Sequence, residues 1–234
     1  MHLSWLSSAF LLFTAAASCA SPTANTPTQV NVRIEGAQKT IFEGNVLTTG
    51  HNVTTPSGGN HKCDGTNGAA HTSPGPTPLS ALDDAAKQNG FSFDGLFVSG
   101  FDDFIIGTIA GESSDNIADI WISGLNFFSQ GIFETCKTEL NAGDKVLFAL
   151  VSVGVQGSIL QLIGPTTARV NQPVTFTVVG SVSLFPIQGA TVNGVTTDAN
   201  GHATLTFTQT GLNSAKADKP GSVRSNRVDI QVTD

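Results

Sequence analysis

From Gln29 onward the chain runs in short stretches that alternate apolar and polar residues and are broken by Gly, Pro and Asn, a rhythm that confines it to a mainly β fold. Gln29 to Glu35 sets the pattern: Val30, Val32 and Ile34 point one way and the polar residues between them the other, as in a strand with one buried face. Thr40 to Val46 offers a partner strand after a turn containing Gly36. Phe91 to Val98, Phe104 to Ile109, Ala118 to Ser123 and Lys145 to Val151 extend the series, so a sheet of about six strands is expected.

One segment breaks the rhythm. Thr77 to Gly90 carries a capping hydroxyl, a proline at the first helical position and a glycine at the end. Leu79, Leu82, Ala85 and Ala86 fall on one face at spacings of three and four, which predicts a short helix lying on a sheet. By contrast Thr48 to Pro78 is Gly, Pro, Asn, Ser and Thr with almost no large apolar residue, and reads as a long loop without a core of its own.

Near Gly154 to Gly157 the rhythm changes. Seven short runs follow, Ile159–Ile163, Ala168–Val170, Val174–Val179, Ala190–Val192, Ala203–Phe207, Ala215–Ala217 and Val228–Val232, with no helix signal among them. Such spacing predicts a small β-sandwich. The expected organisation is therefore an export signal at 1–20, a flexible Pro/Thr/Ser leader at 21–28, a β-rich α+β unit at 29–157 and a sandwich at 158–234.

The export signal rests on the apolar stretch Trp5 to Ala17, too short to cross a bilayer, followed by Ser18-Cys19-Ala20 with small residues where a signal peptidase reads. Cleavage after Ala20 leaves about 214 residues, room for one large or two small domains. Lipidation of Cys19 is the competing reading, and Ala16-Ala17-Ser18 lacks the leucine such a signal usually carries. No later run is long enough to span a membrane, so a secreted, extracellular protein without a membrane span is expected. A net charge of −7 and only 11 scattered Lys and Arg argue against a nucleic-acid partner.

Export leaves Cys63 and Cys136 as the only cysteines, and an even pair in an oxidising space is expected to be bridged. The bond would close 73 residues, worth roughly 4 kcal/mol by the chain-entropy argument, and would anchor the loop that has no core. Asn52-Val53-Thr54 is an acceptor sequence for N-glycosylation in a eukaryotic host.

Two stretches resemble known families. Val30 to Gly36, Thr40 to Gly44, Ser80 to Ala86 and Ala142 to Phe148 together resemble an extracellular domain of unknown function related to the C-terminal domain of transcobalamin and intrinsic factor. The resemblance implies a β-grasp-like sheet with one helix and a role in holding small molecules or surface ligands. Cobalamin carriers place a large helical domain ahead of this one, and this chain has none, so cobalamin is not implied. Gly189 to Gly194 and Thr197-Asp198-Ala199-Asn200-Gly201-His202-Ala203 to Phe207 resemble the bacterial-type immunoglobulin-like repeats of surface proteins, which implies an Ig-like sandwich.

Candidate chemistry is sparse. His51, His61 and His71 share the long loop with Cys63 and Asp64, residues that zinc or copper favour, but their spacing is loose and a bridged cysteine cannot ligate. Solvated loop histidines are the plainer reading, and no metal or cofactor is assigned. Asp102 and Asp103, with Glu112, Asp115 and Asp119 behind them, could supply a carboxylate pair for a secreted hydrolase. Against that, neighbouring carboxylates on a strand face opposite ways. No nucleophile elbow, phosphate loop or metalloprotease helix is present, so no catalytic residue is assigned.

Phe residues concentrate in the first unit; Phe97, Phe101, Trp121 and Phe128, with Asp102, could line a cleft for an apolar ligand, although packing is the simpler role for Phe. Asp198 and Asn200 read as a turn, since two oxygens fall short of a calcium shell. The expectation is a non-enzymatic binding or surface-interaction protein whose partner is an extracellular or cell-surface ligand, a glycan or a small apolar molecule. A hydrolase and a small-molecule carrier are the alternatives.

Overall fold

The computed structural model describes residues 25–114, 118–154 and 157–234. The expected export signal, Cys19, the first four leader residues and Asp115 lie outside the described residues. In chain order the first half contains β1 (Thr28–Glu35), β2 (Thr40–Thr48), β3 (His51–Thr55), β4 (Gly59–Cys63), α1 (Pro78–Asn89), β5 (Phe93–Val98), β6 (Asp103–Ile109), β7 (Glu112–Ser113), β8 (Asp119–Leu125), β9 (Phe128–Gly131) and β10 (Lys145–Ser152). The second half contains β11 (Leu160–Ile163), β12 (Thr167–Arg169), β13 (Pro173–Gly180), β14 (Thr191–Val192), β15 (Val195–Thr196), β16 (His202–Thr206), β17 (Gly211–Ala215), β18 (Ala217–Asp218) and β19 (Val228–Thr233). The described residues are mainly β with a single α-helix.

Five strands form the principal sheet in the order β2-β1-β10-β8-β9. The outer pairs are antiparallel, but β1 and β10 run parallel at the centre, so the chain must cross between them. Helix α1 lies in that crossing. Thr77 and Ser80 cap the helix reciprocally, each side chain accepting the other's backbone N–H, and Gly90 ends it at φ 71°. Leu79, Leu82, Ala85 and Ala86 bury against Val30, Val32, Ile34, Val46, Val146 and Phe148 in one apolar core.

The segment expected to be a coreless loop is folded over half its length. β3 and β4 pair as a hairpin, His51 opposite Cys63, although only Val53, Thr55 and Cys63 along its strands are buried. Polar contacts do what apolar area cannot. Asp94 accepts from the amide and the hydroxyl of Ser57 at the turn (2.9 and 2.6 Å), and Thr55 donates to the Gly95 carbonyl. At the far end Cys63 is bonded to Cys136 beside the helix cap, and buried Asn67 donates to the carbonyls of Lys62 and Asp102. The leader, expected to be flexible through Thr28, is fixed from Asn25, whose amide pairs with both peptide groups of Gly50.

Besides β3 and β4, two more strands of the first unit are not foreshadowed by the sequence. β7 has two residues, and β9 follows a turn in which Asn126 and Phe127 both take positive φ, a conformation that aromatic residues do not advertise.

The second half packs β11-β13-β16 against β12-β19-β17 and β15-β14-β18 around Leu160, Phe176, Val178, Val192, Ile230 and Val232. β18 continues β17 after one residue, so one strand path joins β19 to β14, and β12 pairs parallel with β19. The second half is thus built of small packed sheets around one apolar core. Each of the seven expected runs contains or overlaps a strand; β15, across the Asn193-Gly194 turn, is additional. Asp198 accepts from the amides of Asn200 and His202, and Gly201 is obligatory there because a Cβ would stand 2.4 Å from the Val178 carbonyl oxygen.

The face of β1 that alternation marks as polar is covered as well. Arg33 is 4% and Glu35 1% exposed, because the sandwich sits over them. Glu35 receives Lys216 Nζ at 2.7 Å, Arg224 Nε at 2.9 Å and the Thr40 hydroxyl at 2.9 Å. Glu43, opposite Arg33 in the sheet, receives the same Lys216 and the Arg227 amide. Arg33 donates to the Arg224 carbonyl; burial lowers its pKa from the ordinary guanidinium value, and Glu35 and Glu43 oppose that shift.

Candidate functional site

The sequence candidates do not gather in one place. Asp103 begins β6 and is fully buried; its Oδ1 accepts from Thr135 Oγ1 (2.7 Å) and the amides of Phe104 and Cys136, so it serves the junction beside the disulfide. Its Oδ2 has no hydrogen-bond partner among the described residues, and burial raises its pKa above the usual carboxylate range despite those donors. Asp102 stands at φ 50° in the preceding turn and accepts from the Gly68 amide at 2.7 Å. Glu112 pairs opposite Ile109 at the other end of β6, about 20 Å away at the rise of a strand, and accepts from the Ala37 amide. Asp119 accepts from Ser152 Oγ. Of these four, Asp103 is fully buried and Asp119 borders a cleft with Ala37, Gln38 and Ser152.

The histidines are likewise dispersed, and no group of three or more His, Cys, Asp or Glu among the described residues could hold a metal ion. His51 Nε2 lies 2.7 Å from Asp83 Oδ2 and Nδ1 lies 2.8 Å from the Thr49 carbonyl, so both ring nitrogens face acceptors. The Asp83 bond raises the His51 pKa above its ordinary value. Burial acts to raise that of Asp83, but His51 and Lys87 outweigh it and the net shift is downward. His61 stacks on Phe97 with ring centroids 3.6 Å apart, and Phe104 meets both edge-on. His71 approaches Glu139 at 3.5 Å.

Of the aromatic candidates, Trp121 is a core residue whose Nε1 donates to the Glu112 carbonyl. Phe97 is half-buried under His61, Phe101 is exposed against Phe133 at 4.2 Å, and Phe128 is exposed on the edge strand β9. Thus Phe97, Phe101, Trp121 and Phe128 occupy separate settings. Asn52 is exposed on the hairpin, its amide donating to Asn60 Oδ1 while Asn60 donates to Thr54.

Among the described residues several surfaces are concave or apolar, and three of them bear on function. On the outer side of β5 and β6, Leu96, Ile105, Ser57, Asp94, Gly95 and Gly107 line a groove of about 340 Å³. Between the two halves, a polar cleft of about 460 Å³ opens over β1, β2 and β10. In the sandwich, the loop after β13 carries Val182, Leu184 and Phe185, which are 64%, 62% and 73% exposed. That loop is tightly made: Leu184 N–H donates to the Gly180 carbonyl, Gly180 N–H to Phe185, and Ser181 N–H to Ile159. Leu184 is held at φ 56°, a costly conformation for a branched side chain.

Sequence reasoning missed this loop. Its signal is present in retrospect, since Val182, Leu184 and Phe185 are apolar residues between two turn glycines that no alternating strand consumes. Among the described residues no helix is long and apolar enough to cross a membrane. Compared with protein-family models and with curated proteins, the chain matches none.

Proposed function

We propose that this chain is an exported, non-enzymatic binding protein that docks on a partner protein in the extracellular space, using the loop at 181–186 as its apolar anchor. The observation that carries the reading is that loop: three large apolar side chains in solvent, on a backbone tied by internal hydrogen bonds and strained at Leu184. Together they offer roughly 400 Å² of apolar surface, the scale of the largest patch on an ordinary monomer and half of one side of a standard interface. A convex knob of that size suits an apolar pocket of a partner protein, and no charged residue lies between Gly180 and Gly189 to oppose its burial.

Export and the extracellular setting are supported by the disulfide and by the sequence of residues 1–20. The kinship with transcobalamin-like C-terminal domains and with bacterial surface Ig-like repeats belongs to the same proposal, supported by the parallel β1–β10 pair under one helix and by the sandwich that follows.

Flow cytometry with labelled, disulfide-intact protein on bacterial, fungal and animal cells tests the reading. Binding to one class that falls at least tenfold in Phe185→Ser with Leu184→Ser supports it. No binding to any, or binding that the double variant leaves unchanged, overturns it. N-terminal sequencing of the exported product should begin at Ser21.

The groove over Leu96 and Ile105 favours a second reading, a carrier for a small apolar molecule, because Gly107 leaves its floor open: a Cβ there would meet only the Asp94 carbonyl oxygen, at 3.9 Å. Gly107→Leu should abolish saturable uptake of an apolar fluorescent dye.

A further inference from the structure

The cleft between the halves has a floor and a wall of different origin. Its floor is a row across three neighbouring strands: Asn45 on β2 stands opposite Asn31 on β1, which stands opposite Lys145 on β10, with Gln29 beside them. Its wall is Asn226 and Arg227 at the start of β19. The wall is held rigidly. Asn226 exchanges hydrogen bonds with both peptide groups of Leu162, and Arg227 grips Asp229 at 2.7 and 3.2 Å.

The floor keeps bonding capacity in reserve. One bond of 3.3 Å from Asn31 Nδ2 to Asn45 Oδ1 leaves the Asn31 oxygen and the Asn45 amide nitrogen without partners among the described residues. Lys145 makes no ion pair among the described residues, its ammonium lying 4.8 Å over the Phe127 ring. The charges along the cleft cancel, Lys145 and Arg227 against Glu43 and Asp229.

That chemistry selects a ligand. A polyanion meets Glu43 and Asp229, and an apolar molecule leaves the side-chain amides of Gln29, Asn31 and Asn45 desolvated with bonding capacity unmet. Vicinal hydroxyls, each a donor and an acceptor, match side-chain amides that present both. We infer that the cleft binds a neutral sugar ring, a hexose or N-acetylhexosamine of an extracellular glycan, and its volume falls in the range of small-ligand sites. The site is distinct from the docking loop and does not depend on it. Because floor and wall come from different halves, sugar binding also holds the halves together.

The test is amide NMR of the isotope-labelled full chain titrated with glucose, galactose, mannose and N-acetylglucosamine to about 50 mM, beyond the millimolar range of single-ring affinities. Expected are saturable shifts at residues 29–31, 45, 143–145 and 226–227 with at least one sugar, and at least a tenfold weaker response in Asn31→Ala with Asn45→Ala. The spectrum of the double variant shows whether it folds, and Lys145→Ala, at an exposed position, gives an independent loss of three- to tenfold. Absence of shifts with all four sugars, shifts elsewhere, or shifts unchanged by both variants overturns the inference.

Discussion

The two faces of the central sheet are built on opposite principles. Toward α1, Val30, Val32, Ile34, Val146 and Phe148 meet leucine and alanine; toward the sandwich, Arg33, Glu35 and Glu43 meet Lys216, Arg224 and Arg227. Both are buried, yet the first is held by area and the second by pairing. Apolar contact is indifferent to small rotations, whereas a carboxylate shared by an ammonium and a guanidinium tolerates little displacement. The helix face thus supplies stability, and the charged face supplies a defined angle between the halves.

The comparison breaks first if the apolar face proves dispensable. Phe148→Ala should cost about 4 kcal/mol in urea unfolding, by lost transfer and a residual cavity, with little dependence on salt. A loss under 1 kcal/mol would remove the contrast. Next, Glu35→Ala leaves Arg224 partly buried without its carboxylate and Lys216 with Glu43 alone, and should cost about 3 kcal/mol. Small-angle scattering should then show a larger radius while Phe148→Ala, where still folded, shows none. Equal radii would mean that the charged face does not set the angle.

A smaller effect concerns pH. The raised His51 pKa makes its contribution complete below the ordinary imidazole value near 6.5 and lost as pH rises through the raised one. The lowered Asp83 pKa makes its share complete above the ordinary carboxylate value near 3.9 and lost as pH falls through the lowered one. Between those limits the hairpin is best tied to α1, and from pH 6 to pH 9 the wild type should lose about 1 kcal/mol more than His51→Gln. Equal slopes would reassign the pair to mere proximity. Smallest of all, raising salt to about 1 M should cost less than 1 kcal/mol, confined to exposed pairs such as Arg227–Asp229.

Much of the fold is legible because local signals and burial agree. Thr77, Pro78 and Gly90 mark α1 by chemistry that acts within one turn, and Val30, Val32 and Ile34 mark β1 by a period that survives any partner. What stays hidden depends on distant residues. Nothing near Glu35 announces Lys216, and the β3–β4 hairpin is held by Asp94 and Cys136, far along the chain. The Phe-rich region misleads for a related reason: an aromatic side chain reads alike whether it fills a core, as Phe104 does, or stands in solvent, as Phe128 does. Lys145, Asn31 and Asn45 look like ordinary polar alternation until the register sets them side by side.

The covalent tie has one more outcome. Residues 69–74 are exposed and fall inside the ring closed by Cys63 and Cys136, so a peptidase can cut the chain there without releasing either piece. Such a nicked molecule would keep its mass on a non-reducing gel and split only when a thiol is added. In surroundings rich in secreted proteases, it would go on working after being cleaved.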